Sequence, residues 1–254
     1  MTNSIHRRAA AAGLCTALSL FVLGAAAPVK AADTPDYAAI VAAPDRSDAD
    51  RETDQRRAPA KMLAFAGVRP GMKVFDMEAG AGYSTELLAR AVAPGGTVYA
   101  QDSAAVMERI KDKFDIRAQK PEMKNVVHVV RNFDDPIPPD VNNLDLITFF
   151  FAYHDTTYMP VDRAEMNKKM FAALKPGGYL VIADHSAKPG DGTSVGKTLH
   201  RIEESALRKE IEAAGFKFVA DANFLRNPAD PRDAAVFHPK LPNDEFVLKY
   251  QKPM

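Results

Sequence analysis

From Lys73 to the C-terminus, short apolar runs alternate with amphipathic stretches of helical period, and compact turns separate them. The runs at Lys73 to Met77, Thr97 to Gln101, Val126 to Val130, Leu144 to Phe151 and Gly178 to Ala183 have the length and β-branched content of strands. Between them, Ser84 to Val92, Ala104 to Arg117 and Val161 to Leu174 carry apolar residues three and four apart, which predicts helices. The strand at Leu144 is apolar almost throughout and ends in Phe149-Phe150-Phe151, as expected of a parallel strand covered on both faces. Strand and helix in alternation predict βαβ units and a mostly parallel sheet with helices on both faces. Beyond Gly190 the pattern changes to a helix from Glu203 to Ala214 and two late strands, Phe216 to Ala220 and Glu245 to Tyr250. These predict an antiparallel hairpin at the sheet edge.

The chain before Lys73 divides into three. His6, Arg7 and Arg8 precede an apolar run from Ala9 to Ala27, and Val29-Lys30-Ala31 places small residues ahead of a cut after Ala31. This pattern predicts a cleaved signal peptide over residues 1–31 and a periplasmic or secreted mature chain. Residues 32–57 are polar and charged, and are expected to form a surface lead-in. Pro59 opens a short helix closed by Gly67 and the turn Arg69-Pro70-Gly71, so the folded domain is expected over residues 58–254.

Composition narrows the function classes. The chain has 254 residues with 33 basic and 33 acidic side chains, so no net field draws it to nucleic acid or anionic lipid. Cys15, the sole cysteine, lies inside the leader. A mature chain without thiols has no disulfide, no thiolate metal site and no cysteine nucleophile.

The chemistry concentrates in VFDMEAGAGYSTELLA, which reads as strand, glycine turn and helix. Gly80 and Gly82 allow close backbone approach to a ligand, and the first N–H groups of the helix, from Tyr83 onward, face it. Asp76 closes the first strand. Asp102 closes the second about twenty residues after Gly82, where a carboxylate is placed to accept both ribose hydroxyls. An ordinary tight turn explains the glycines alone; the two acids favour a nucleotide cofactor.

The acid closing the first strand, Gly-x-Gly, the second-strand acid and Lys175-Pro176-Gly177-Gly178 together resemble class I S-adenosylmethionine-dependent methyltransferases. The resemblance runs from about Met62 to the C-terminus. The exported start, the YHD and ADHSA segments and the tail TLHRIE…LRNPAD…VF are similar to exported bacterial proteins described only as predicted methyltransferases. The resemblance implies a Rossmann-like seven-stranded sheet whose C-terminal edge strand is antiparallel, S-adenosyl-L-methionine as cofactor, and methyl transfer. It also implies that the loop after the third strand meets the adenine, through Phe133 stacking on the base and Asp134 accepting from its amine, unless these residues pack or cap the turn. Thr85 replaces the third glycine of a dinucleotide fingerprint, which leaves NAD the runner-up.

Glu78 departs from the family, which has glycine there. Its carboxylate would pair with the sulfonium or amino group of the cofactor, or else crowd it. The carboxyl ends of the fourth and fifth strands carry Tyr153-His154-Asp155 and Asp184-His185, the acceptor side of such a sheet. His154 and His185 are the candidate bases, with Tyr153 and Asp155 beside them; either histidine would also serve by fixing its loop through a backbone hydrogen bond. Two histidines and two carboxylates suit a divalent cation, but the spacing matches no ligand motif and no metal ligand is assigned. The loop GDGTSVGK is expected to close over the acceptor, with Arg201 holding an acidic group on it or pairing with Glu203 or Glu204.

The reading is a methyltransferase acting on a small-molecule or cell-envelope acceptor. The alternative is an exported, non-catalytic binding module for a nucleoside-like ligand on the same fold.

Overall fold

The computed structural model describes residues 1–2, 34–237 and 239–254, and Ala32–Met254 form one compact unit. Apart from residues 1–2, the expected signal peptide lies outside the described residues. Among the described residues, no helix is long and apolar enough to cross a membrane.

Three helices precede the sheet, α1 (Tyr37–Val41), α2 (Asp48–Arg57) and α3 (Pro59–Ala66). Strands β1 (Lys73–Met77), β2 (Thr97–Asp102), β3 (Val126–Val130) and β4 (Leu144–Phe150) then alternate with α4 (Tyr83–Val92) and α5 (Ala104–Ala118). Helix α6 (Arg163–Ala173) leads into β5 (Leu174–His185), followed by α7 (Gly196–Leu199), α8 (Glu204–Ala213), β6 (Lys217–Ala222) and β7 (Glu245–Gln251). The sheet order is β3-β2-β1-β4-β5-β7-β6. Strands β1 to β5 pair in parallel, and β7 runs antiparallel to both β5 and β6. The late hairpin therefore lies at the sheet edge as expected, with β7 on its inner side and β6 outermost.

Both sheet faces are covered, as the long apolar runs require. Phe75, Ile147, Phe149, Leu180, Ile182 and Leu248 face one core with Met166 and Met170 of α6 and Leu207 and Ile211 of α8. Their sequence neighbours Val74, Leu146, Val181 and Val247 face the other core with Leu87, Leu88 and Val92 of α4 and Met62 of α3. The two-residue period of each strand thus feeds two cores, and the i, i+4 spacing of each helix supplies the cover. The connections leave β1 toward β2 on one side and β4 toward β5 on the other. The switch falls between β1 and β4, whose carboxyl ends open the crevice in which such sheets bind ligands.

The polar lead-in is more than a surface tail. Asp36 and Ser47 cap α1 and α2 through their side chains, and Arg46 and Asp50 are buried. Arg46 pairs with Asp54 at 2.6 Å, and Asp54 also accepts from the Tyr83 hydroxyl at 2.6 Å. Arg117 of α5 donates to Asp50, to Glu86 and to the Ala81 carbonyl. A segment with few apolar residues is held here because its charges match those around the glycine turn, a complementarity that hydropathy does not register.

Candidate active site

The glycine turn follows β1 and is fastened from both sides. Gly80 donates its N–H to Asp102 Oδ1 at 2.9 Å, and Gln101 Oε1 accepts the N–H of Glu78 at 3.2 Å. Gly80 and Gly82 have φ of 57° and 79°, the left-handed region that a side chain resists. A Cβ on Gly80 would meet open space, whereas one on Gly82 would press on Arg117 and Phe114. The two glycines do different things: Gly80 leaves room on the ligand side and Gly82 admits α5.

Asp76 is buried and accepts from the hydroxyls of Thr85 and Thr148, both at 2.7 Å. Burial outweighs these bonds and pushes its carboxyl up to about 6. It braces β1 against α4 and β4 rather than facing open space. Asp102 is also buried; its second oxygen lies 3.2 Å from His128 Nε2, and the His128 ring stacks on Phe114 at 4.0 Å. Tyr83 opens α4 and anchors the lead-in through Asp54.

Beside Asp102 lies a cleft of about 310 Å³ lined by Ala104, Val130, Arg131, Asn132, Asp134 and Asp135. Asp134 is at its wall. Phe133 is not: it is 1% exposed and stacks on Phe149 at 6.1 Å in the core, so base stacking by Phe133 is not supported. An aromatic residue after β3 served the sheet core because the backbone turned it inward.

Glu78 has φ 50° and leaves its Oε2 buried without a hydrogen-bond partner. Burial, then the charges of Asp155 and Asp102, push its carboxyl up to about 8. It thus feels both Asp102 and Asp155, and the charges of His154 and Arg109 do not offset its burial. Arg57, at the end of α2, has its guanidinium 4.5 Å over the Phe151 ring and 5.6 Å over Tyr83, with no hydrogen bond to any described residue. Burial lowers its pKa, although Glu245 and Tyr83 oppose this. Arg57, Tyr83 and Phe151 line a narrow apolar pocket of about 20 Å³, room for roughly one water, so the larger cleft is the ligand-sized one.

The acceptor side is built on a 3₁₀ turn, Tyr153–Thr157, after β4. His154 is buried, and Asp184 Oδ1 lies 2.7 Å from its Nδ1 while Asp184 Oδ2 accepts its backbone N–H at 2.8 Å. Burial pulls the imidazole down, but Asp184 and Asp155 outweigh it and push it up to about 10. Asp155 accepts from the Tyr158 hydroxyl at 2.5 Å. Its pKa is lowered: burial opposes, and His154 prevails.

Two sequence expectations change here. Tyr153 points away from the acceptor side; its hydroxyl donates to Glu210 at 2.8 Å and accepts from Asn167 at 2.9 Å beneath α6 and α8. It is a core residue, not a catalytic one. Arg201 is 2% exposed and held by Asp230, Asn243 and the Ser186 and Ala234 carbonyls, so it has no donor left for an acceptor, and its ionic partner is neither Glu203 nor Glu204.

His185 is half-buried with Nδ1 2.9 Å from Glu245 Oε1 in a contact not aligned as a hydrogen bond, and its ring is 5.7 Å from that of His154. His200, which the sequence did not single out, is closer to the cluster: its Nδ1 is 3.3 Å from His154 Nε2 and 3.2 Å from Asp155 Oδ1. The glycine loop before it is tied down, since Gly190 and Gly192 both donate to Glu203. Glu78, Phe151 and His200 are all non-glycine residues with positive φ, and all lie around this crevice. Strain of that kind gathers where geometry is held for a purpose.

Comparison with known proteins agrees with this fold. Residues 69–221 match a family described as a methyltransferase domain. A ubiquinone/menaquinone biosynthesis C-methyltransferase, UbiE, from Burkholderia multivorans is 30% identical over 170 residues, which are 66% of this chain and 63% of that protein. The chain thus spans less than two thirds of that relative's length. Among solved structures, an S-adenosylmethionine-dependent methyltransferase from Aquifex aeolicus superposes with TM-score 0.57 at 21% identity, covering 81% of this chain and 99% of that one. Aeropyrum pernix fibrillarin with natively bound S-adenosyl-L-methionine has TM-score 0.50 at 16% identity, covering 76% and 73%. At such identities the structures speak for the fold. Fold, glycine turn and family match together place this chain in the methyltransferase domain family.

Proposed function

We propose that the chain transfers the methyl group of S-adenosylmethionine to an oxygen or carbon nucleophile of a small or cell-envelope molecule, phenolic or enolic in character. The observation that carries this is the unpartnered, buried Oε2 of Glu78 between Asp102 and Asp155. A buried polar atom without a partner is costly, and a cationic ligand that draws the carboxyl into its ionised form relieves it. The cofactor fits that deficit: when bound, it supplies an electrophilic methyl group on a positively charged sulfur.

The chain's own residues then divide the work. The open face of Gly80 would admit the ligand against backbone, and Asp102 would offer carboxylate oxygen to the ribose. The cleft bounded by Asn132 and Asp134 would receive the base, and Glu78 would meet the positive charge. Arg57 would hold the carboxylate end. His154, Asp155, His200 and Tyr158 form the polar wall that meets the acceptor, with Phe151 and Phe237 supplying apolar surface. In-line transfer needs mainly this positioning, so residues that fix geometry matter more than a strong base. The relatives named for quinone biosynthesis support a ring or enolate acceptor.

The test is incubation of the chain with methyl-labelled S-adenosylmethionine and a panel of phenols, enols and envelope extracts. Label on an acceptor, lost with Asp102→Ala, supports the reading. Tight cofactor binding with no label transferred to any fraction would contradict it. We also propose that the chain acts outside the cytosol, supported by its leader-like start. N-terminal sequencing of the chain recovered from its native host should begin at Ala32; an intact Met1 would overturn this.

A further inference from the structure

Three side-chain atoms on the acceptor side form a nearly equilateral triangle. His154 Nε2 lies 3.3 Å from His200 Nδ1 and 3.2 Å from Asp155 Oδ1, and His200 Nδ1 lies 3.2 Å from the same oxygen. With Asp155 ionised, no placement of the ring protons satisfies all three edges. If both rings donate to Asp155, the two nitrogens face each other as donors; if either does not, one edge to the carboxylate is lost. A cation at the apex satisfies all three at once. Ligand atoms about 2.1 Å from zinc stand ~3.4 Å apart in a tetrahedron and ~3.0 Å apart in an octahedron, and the observed edges fall between these values.

The surroundings hold the triangle in place. Asp184 lies against Nδ1 of His154, fixing the ring with Nε2 toward the triangle, the arrangement by which an outer carboxylate orients a metal-binding histidine. The same carboxylate accepts the backbone N–H groups of His154 and His185. His200 reaches the cluster only by adopting φ 53° at the end of α7. That helix abuts the 3₁₀ turn so closely that a Cβ on Gly196 would overlap the Thr157 hydroxyl and press on the His154 carbonyl. Phe237 packs edge-on against the His200 ring at 4.7 Å. His154 is buried while Asp155 and His200 are half-buried, so the triangle is not sealed from solvent.

We propose that His154, Asp155 and His200 form a site for one divalent transition-metal ion of the zinc class, with a coordination position open toward the acceptor side. Two imidazoles and one carboxylate favour such ions over magnesium or calcium. Three protein ligands with one open position is the plan of catalytic rather than structural zinc sites. The role rests on the methyl-transfer reading, because the open position would hold and polarise an acceptor oxygen; the site itself does not rest on it.

The test titrates the full chain, stripped of metal with a chelator, with Zn²⁺ by calorimetry and with Co²⁺ by visible absorption. One ion per chain should bind with micromolar or tighter affinity, and Co²⁺ should develop ligand-field bands. His200→Asn, chosen because asparagine tolerates positive φ, and Asp155→Asn should each weaken binding by roughly a hundredfold or more, and Asp184→Asn by roughly ten- to a hundredfold. His185→Gln should leave affinity unchanged. Because His154→Gln risks misfolding, the two half-buried ligands carry the test, with circular dichroism confirming their fold. Failure of the stripped chain to bind either ion, unaltered affinity in both ligand variants, or equal loss on His185→Gln would overturn the site. None of these readouts depends on methyl transfer.

Discussion

Glu78 gives a prediction whose size follows from the structure. Its carboxyl, pushed up to about 8 from an ordinary value of 4.5, keeps its proton at neutral pH in the free chain. A positively charged ligand settling against Oε2 requires that proton to leave. Between pH 7 and pH 9 the ionised fraction rises from roughly a tenth to roughly nine tenths, so affinity for a cation should rise roughly tenfold, about 1.4 kcal/mol. On the proposed reading Glu78, which feels both Asp102 and Asp155, would meet the sulfur. The rise should therefore appear for S-adenosylmethionine and be small for its neutral-sulfur, demethylated product. The linked stability effect has the opposite sign. The folded carboxyl holds its proton to higher pH than the unfolded one, so the ligand-free chain should lose stability as pH climbs from about 4.5 through about 8. Calorimetric titration of both ligands at pH 7, 8 and 9 measures the first effect, and proton release in buffers of different ionisation enthalpy checks it. In Glu78→Gln the pH dependence should vanish and the preference for the cationic ligand should fall. A flat profile in the wild type, or equal loss for both ligands in the variant, would refute the argument.

Other outcomes follow from particular contacts. Asp184→Asn should cost roughly 3 kcal/mol in denaturant unfolding, because it disturbs a buried carboxylate serving His154 and His185. Tyr153→Phe should lower stability by about 1 kcal/mol while leaving cofactor affinity intact, since among the described residues its hydroxyl bonds only to Glu210 and Asn167; a large fall in affinity would put Tyr153 back in the site. Gly82→Ala should destabilise by roughly 1–2 kcal/mol and weaken cofactor binding, through its φ of 79° and the press on Arg117. Arg57→Gln should weaken S-adenosylmethionine and its product alike, because both carry the carboxylate that Arg57 would hold; an effect on only one would move Arg57 elsewhere.

The sheet was readable because each strand announces itself locally. Lys73 to Met77 and Val126 to Val130 begin and end where periodicity puts them, and the apolar fourth strand is covered on both faces as its composition requires. The order in which β7 enters between β5 and β6 was not readable, because both placements bury the same apolar face. The lead-in was undervalued for a physical reason: Arg46, Asp50 and Asp54 are held by matched charges from distant elements. The acceptor side was half legible. His154 and Asp155 stand at a strand end, where chemistry is expected, and Asp184 at the next. His200 joins them from 45 residues beyond Asp155, through a left-handed turn that no spacing rule signals. The glycine-rich loop before it was the one available hint. Phe133 and Tyr153 were misplaced because an aromatic residue at a strand end can turn inward or outward, and only the packed core decides which.

The central claim is that the turn from Glu78 to Gly82, with Asp102, is a working S-adenosylmethionine site. The most direct measurement is calorimetric titration of the full chain with S-adenosylmethionine, beside Asp102→Ala of confirmed fold. The account predicts one molecule bound per chain with micromolar affinity, lost in the variant. A folded wild-type chain that binds neither S-adenosylmethionine nor its demethylated product would contradict it.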